Sequence, residues 1–280
     1  MRADGKRLKK VDPMYTVASY IMSSRSDSMN MITLDIPYDP IQDYLNKKRK
    51  EEKNISHMAV IISAYLRTVA EFPELNRFIV NCKAYARNEY AVAMVVLSGA
   101  KNDQGTMSKM YFDINDTIFD IDKKINDYVN ANREAPEKNG TEKIIKFLLS
   151  VPGLCRFGVG LFKLLDRYGL LPKFIIDMSP FHNTLCISNL ISIRTNHIYH
   201  HIYDFGTTSY GMSIGNHRFK TEKKGDEIVC TKTIPLGLTM DERIASGAFF
   251  AIAFKQFEKY CNNPELLEVK PEKVVQDPNI

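Results

Sequence analysis

The chain has 280 residues, 44% of them hydrophobic and 25% charged, with a formal net charge of +5. Those values predict a soluble globular protein with a sizeable core, in one large or two small domains. The mild basicity suits a binder of acidic small molecules. No Lys/Arg stripe interleaved with aromatics argues for nucleic acid, and none is expected as a partner.

In chain order, residues 1–13 read as a solvated basic arm without the apolar stretch of a signal peptide. Residues 14–29 predict a helix. Residues 30–39 predict a strand stopped by Pro37 and Pro40, and 40–52 a helix with a charged outer face. Asn54 or Ser56 is the expected cap of a helix at 57–72, apolar nearly all round and therefore buried. Residues 73–97 have strand composition with turns near Asn81 and Asn88. A strand at 107–114 and an amphipathic helix at 117–135 follow. Residues 141–180 are strongly apolar, broken by Pro and Gly, and their charges are mostly Lys and Arg. Two readings stand there: short helices packed on the core or over a cavity, or a basic amphipathic surface lying on a membrane. Strands are expected at 184–190 and 209–215, a hairpin at 217–241 turning at Lys224–Asp226, a helix at 245–263, and a polar tail at 269–280. The alternation predicts one α/β domain with a mixed sheet.

Five scattered cysteines (Cys82, Cys155, Cys186, Cys230 and Cys261) without a C-x-x-C pair read as reduced thiols in a cytoplasmic protein. No uncharged apolar run reaches about 18 residues, so no spanning helix is expected. There is no Gly-rich phosphate loop, no nucleophile elbow and no zinc-binding helix motif, and no metal is expected. His197, His200 and His201 cluster before Asp204. Adjacent histidines on a strand point opposite ways, so only one of His200 and His201 faces a given site. A base role and plain hydrogen bonding in a loop both remain open there.

Four stretches carry a resemblance: "LRTVAEFPELNRFI" (66–79), "TLCISNLISI" (184–193), "YGMSIG" (210–215) and "TMDERIASGAFFAIAFKQFEKYCNNPELL" (239–267). Together they resemble the catalytic domain of 2-oxo acid dehydrogenase acyltransferases, and likewise chloramphenicol acetyltransferase. The resemblance runs over 14–268, with 141–180 as an apolar helical insert. It implies a chloramphenicol acetyltransferase-like two-layer α/β (α+β) sandwich, forming a homotrimer with active sites between subunits. It also implies coenzyme A or acyl-CoA as substrate and a small-molecule acyl acceptor. In that family a motif His removes the acceptor's proton and a strand Ser donates to the oxyanion. The corresponding residues here are Glu242 at the base position, Ser188 as oxyanion donor and Ser246 at the position of the motif Asp. His201 or His200 is the alternative base. Asn189, His200, Thr207 and Gly247 are the residues expected to bind the coenzyme.

The changed residues fall on the chemistry. A carboxylate near pKa 4.3 is a weaker base than an imidazole near 6.5 by about two units, roughly a hundredfold in proton uptake. Burial raises a carboxyl pKa and recovers part of that. A lipoyl attachment domain is not expected, and a stand-alone acyltransferase is the closer analogy. The sequence therefore leaves two functions open. One is CoA-dependent acyl transfer from a thioester to a small molecule, with Glu replacing His. The other is a non-catalytic trimeric binding or scaffold protein of the same fold.

Overall fold

The computed structural model describes residues 2–97, 105–134, 146–147 and 149–280. In order, the elements are β1 (Gly5–Arg7), α1 (Pro13–Ile21), β2 (Met29–Pro37), α2 (Asp39–Lys50), α3 (His57–Glu71), β3 (Arg77–Val80), β4 (Lys83–Arg87) and β5 (Tyr90–Leu97). Then come β6 (Gly105–Phe112), α4 (Ile118–Glu134), α5 (Leu154–Arg167), α6 (Lys173–Met178), β7 (Leu185–Asn189), β8 (Tyr210–Ile214), β9 (Arg218–Lys224), β10 (Glu227–Asp241) and α7 (Gly247–Asn262). Ser56 is the cap of α3, its hydroxyl accepting from the Ala59 N–H at 3.1 Å. The helix behind that cap is buried along nearly its whole length, as its mostly apolar surface requires, with Arg67 and Thr68 paired to backbone carbonyls.

One mixed sheet has the order β2-β10-β8-β7-β5-β6, with β9 paired to the first half of β10. Pairs β5–β7 and β7–β8 are parallel, and the others are antiparallel. Side chains alternate across it. Ile234, Leu236, Leu238 and Met240 of β10 join Tyr210, Met212 and Ile214 of β8 and Leu185 and Ile187 of β7 in the core, under α2, α3, α4 and α7. The result is a two-layer α/β sandwich around one core. The second sheet, β1-β4-β3, is small.

The opposite face of the main sheet is lined by small residues. Gly211, Ser213 and Gly215 stand beside Gly237. A Cβ on Gly237 would lie 2.2 Å from the Ile198 carbonyl oxygen, and one on Gly215 2.4 Å from the His197 nitrogen. The chain at 196–203 rests directly on the sheet there. Ser213 Oγ fixes it, accepting from the Ile198 N–H at 2.9 Å and donating to the Ile198 carbonyl.

Three expectations change. The arm at 1–13 is not solvated: β1 pairs with β4, and Arg2, Asp4 and Leu8 are buried. Its first charges face partners across the fold, Arg2 reaching Asp166 at 2.6 Å, so their burial is compensated. The helix expected at 14–29 stops at Ile21, because a serine-rich turn follows in which Ser24 Oγ accepts from the Asp27 N–H. The His197–Asp204 segment is not a strand, so the alternation argument for His200 and His201 does not apply. Of the insert at 141–180, residues 141–145 and 148 lie outside the described residues. The rest contains α5 and α6 with the turns that flank them.

Candidate active site

The loop after β10 is held by a buried ion pair. Arg243 donates to Asp241 from Nε at 2.8 Å and from a terminal nitrogen at 2.7 Å. Ser28 Oγ also donates to Asp241, and the remaining Arg243 nitrogen donates to the Met22 carbonyl. Every strong polar group of the pair has a partner, which is the condition for burying it. Glu242 sits between them on the outside, half-buried. Its carboxylate accepts from Asn30 Nδ2 at 2.6 Å. Ser246 is the N-cap of α7, its hydroxyl accepting from the Phe249 N–H at 3.1 Å. Gly247 opens that helix at the surface.

Ser188 lies near the end of β7 on the open face, in register with Ser213. Ser213 is in register with Gly237, and Gly237 with Thr33. These four positions form one row across four strands. At its far end Thr33 Oγ1 bonds His197 Nε2 at 3.0 Å and the Tyr199 hydroxyl at 2.6 Å. His200 lies against Gly211, within 3.2 Å of where a Cβ would stand. Burial pushes its pKa down, with His201 adding to the effect, so the imidazole is neutral at pH 7. His201 is exposed and borders a small cavity with Cys186, Tyr203 and Thr208. The buried atoms His200 Nε2, Asn189 Oδ1 and Thr239 Oγ1 have no hydrogen-bond partner among the described residues. Such atoms call for an explanation, and a bound polar group or water supplies one.

Thr207 is fully buried, accepting from Arg87 at 2.9 Å and facing Asp4 at 3.4 Å. It belongs to a charged interior that sequence reasoning missed. Arg2 clamps Asp4 and Asp166, and His182 Nε2 lies 3.3 Å from Asp166. Burial raises the Asp166 carboxyl, and His182 and Arg2 together outweigh it, bringing its pKa to about 2. Beside this network a cleft of about 380 Å³ is lined by Arg25, Asn81, Lys163, Asp166, Asp204 and Arg243. Arg25 is buried, and its Nε has no partner among the described residues. The signal for these residues was only their charge, since their partners lie far away in sequence. No three His, Cys, Asp or Glu side chains come together as a metal site among the described residues.

Register separates the two principal candidates. Glu242 is five residues along β10 from Gly237, which shares the Ser188 row. That is about 16 Å along the strand, plus two strand spacings of about 4.8 Å across. Within one chain, Ser188 and Glu242 cannot act on the same atom.

No protein-family model and no curated protein matches the sequence. Solved structures do match. A probable dihydrolipoamide acetyltransferase from Listeria monocytogenes 4b F2365 is 14% identical, covers 91% of this chain and 94% of its own, and superposes with a TM-score of 0.57. The Azotobacter vinelandii dihydrolipoamide acetyltransferase is 10% identical over 93% of each chain, with a TM-score of 0.59. In that enzyme a serine, a histidine and an asparagine four residues beyond the histidine have been probed for their catalytic role. A chloramphenicol acetyltransferase is 11% identical over 92% of this chain and 99% of its own, with a TM-score of 0.56. The chain has the fold shared by dihydrolipoamide acetyltransferase catalytic cores and chloramphenicol acetyltransferase.

Proposed function

We propose that the protein is a CoA-dependent acyltransferase that moves an acyl group from a thioester to a small-molecule acceptor. Its working form is a homotrimer in which Glu242 of one copy meets Ser188 of the next. The observation that carries this reading is the separation of those two residues by register within one chain, on the fold of known acetyltransferases. Glu242 takes the proton of the acceptor's hydroxyl or thiol, and the freed oxygen or sulfur attacks the thioester carbonyl. Ser188 donates a hydrogen bond to the oxyanion that forms. Collapse expels the coenzyme A thiolate, which recovers the proton from Glu242. The Asp241–Arg243 pair acts as a positioning device, fixing the backbone on both sides of Glu242. His200, neutral and with a free ring nitrogen on the open face, is the alternative base. The coenzyme would meet Asn189 Oδ1, which has no partner among the described residues, and the exposed Gly247 at its helix start, while Thr207 stands behind them engaged with Arg87.

A second reading, a non-catalytic binding or scaffold protein, is favoured by a specific observation. Ser246 is occupied as a helix cap and Glu242 is tied to Asn30, so the motif positions have structural work of their own. The test is calorimetric titration with coenzyme A and acetyl-CoA, followed by turnover assays. Micromolar binding at one site per chain, with coenzyme release lost in Glu242→Gln and reduced about a hundredfold in Ser188→Ala, supports the transferase. Absence of binding favours the scaffold. Retained turnover in Glu242→Gln moves the base to His200.

A further inference from the structure

Helix α5 carries an apolar stripe that nothing among the described residues covers. Phe157, Leu161, Leu164 and Tyr168 recur at i, i+4, i+7 and i+11, within an arc of about 60°. They are 40 to 68% exposed. Leu170 and Phe174 continue the exposed apolar surface toward α6, and Val151 precedes it. The helix does have a packed side, where Gly158 and Asp166 are buried. Its apolar arc is wider than the body of the protein can use.

The flank of the stripe is basic. Arg156, Lys163 and Arg167 lie on one ridge about 100° round the helix from the stripe. The single acidic residue of α5, Asp166, is turned inward and paired with Arg2. The outer surface of α5 is therefore apolar along its crest and positive along its edge. The exposed stripe on α1, Met14, Val17 and Ile21, is different, because that helix contains no charged residue at all. An uncharged stripe suits a second copy of the chain. An apolar crest with a cationic edge suits a layer with apolar chains beneath anionic headgroups.

We propose that α5 docks the protein on an anionic membrane surface, lying in the plane of the interface with its crest among the acyl chains. At 14 residues the helix is about 21 Å long, too short to cross the hydrocarbon core. No helix among the described residues is long and apolar enough to do so. This docking does not depend on the acyltransferase reading.

The chain has no tryptophan, so Phe157→Trp introduces a single reporter on the crest and Tyr20→Trp a matching one on α1. Each is mixed with vesicles of phosphatidylcholine alone, or with phosphatidylserine added, and with brominated acyl chains as quencher. Phe157→Trp is expected to shift to the blue and be quenched on the phosphatidylserine vesicles, while Tyr20→Trp stays unquenched. Co-sedimentation of the otherwise unchanged protein is expected to fall at least tenfold in Leu161→Ser/Leu164→Ser, and again in high salt. All these side chains are exposed, and thermal melting confirms that the variants fold. Absence of sedimentation with phosphatidylserine vesicles overturns the proposal. So does equal binding to neutral vesicles, or an unaffected double variant. If the double variant instead lowers the oligomer mass in light scattering and the parent does not sediment, the crest is an interface between copies and the proposal fails.

Discussion

The two faces of β10 are made of the same strand and solve different problems. On the core face, Ile234, Leu236, Leu238 and Met240 are held by packing under the helices. On the other face, Gly237 meets a laid-on loop, Thr239 keeps a buried hydroxyl without a partner among the described residues, and Asp241 holds an ion pair. The core face needs only apolar volume, which many residues supply. The open face is specified position by position, and the candidate chemistry sits there. The lesson is that a substitution on the core face of this strand reports packing alone, whereas one on the open face reports stability and site geometry together.

The largest effect is expected at Asp241→Ala. It leaves the buried Arg243 uncompensated and should cost about 3–5 kcal/mol in denaturant unfolding. Leu236→Ala, on the core face, should cost about 2–5 kcal/mol through the cavity it leaves. Gly237→Ala should cost about 1–3 kcal/mol, because its methyl would overlap the Ile198 carbonyl. Unlike Leu236→Ala, it should also raise proteolysis at 196–203, read by mass spectrometry. An equal cleavage pattern in the two variants would collapse the distinction between the faces. Ser246→Ala should cost about 1 kcal/mol through the lost cap.

A pH series sharpens the contrast with the smallest effect. His200 is depressed in the folded state by burial, so the unfolded chain binds its proton more readily. Its contribution to stability is present above the unfolded pKa near 6.5 and is lost as the pH falls through the lower folded value. His200→Gln should flatten that part of the stability–pH curve, whereas Leu236→Ala should lower the curve without changing its slope.

Much of the fold was legible because its elements have one period each. The all-round apolarity of α3, the Ser56 cap and the strands at β5, β7 and β8 follow from local sequence. The turn at Asn81 was read from residue type, and Asn81 and Cys82 do take positive φ there. The short β1 was lost because three residues carry no periodicity. For the 196–203 segment both strand alternation of His200 and His201 and a loop were open, because nothing local tells an extended chain laid on glycines from one paired in a sheet. The Asp241–Gly247 motif could be located by resemblance, but the distance from Glu242 to Ser188 needs the sheet register, which no local pattern encodes. The charges of Arg2 and Asp4 looked solvated, as part of the arm, because the partner Asp166 is 164 positions from Arg2.

The end of the chain closes the beginning of the core. Arg77 of β3 makes a two-pronged pair with Asp277, at 2.6 and 2.7 Å, across 200 positions of sequence. The Val275 N–H reaches the Ala70 carbonyl on α3. During synthesis, β3 is therefore made long before the carboxylate that neutralises it. Until residue 277 has left the ribosome, Arg77 has only the looser contact with Glu74 at 3.8 Å, so β3 gains its close two-pronged partner late.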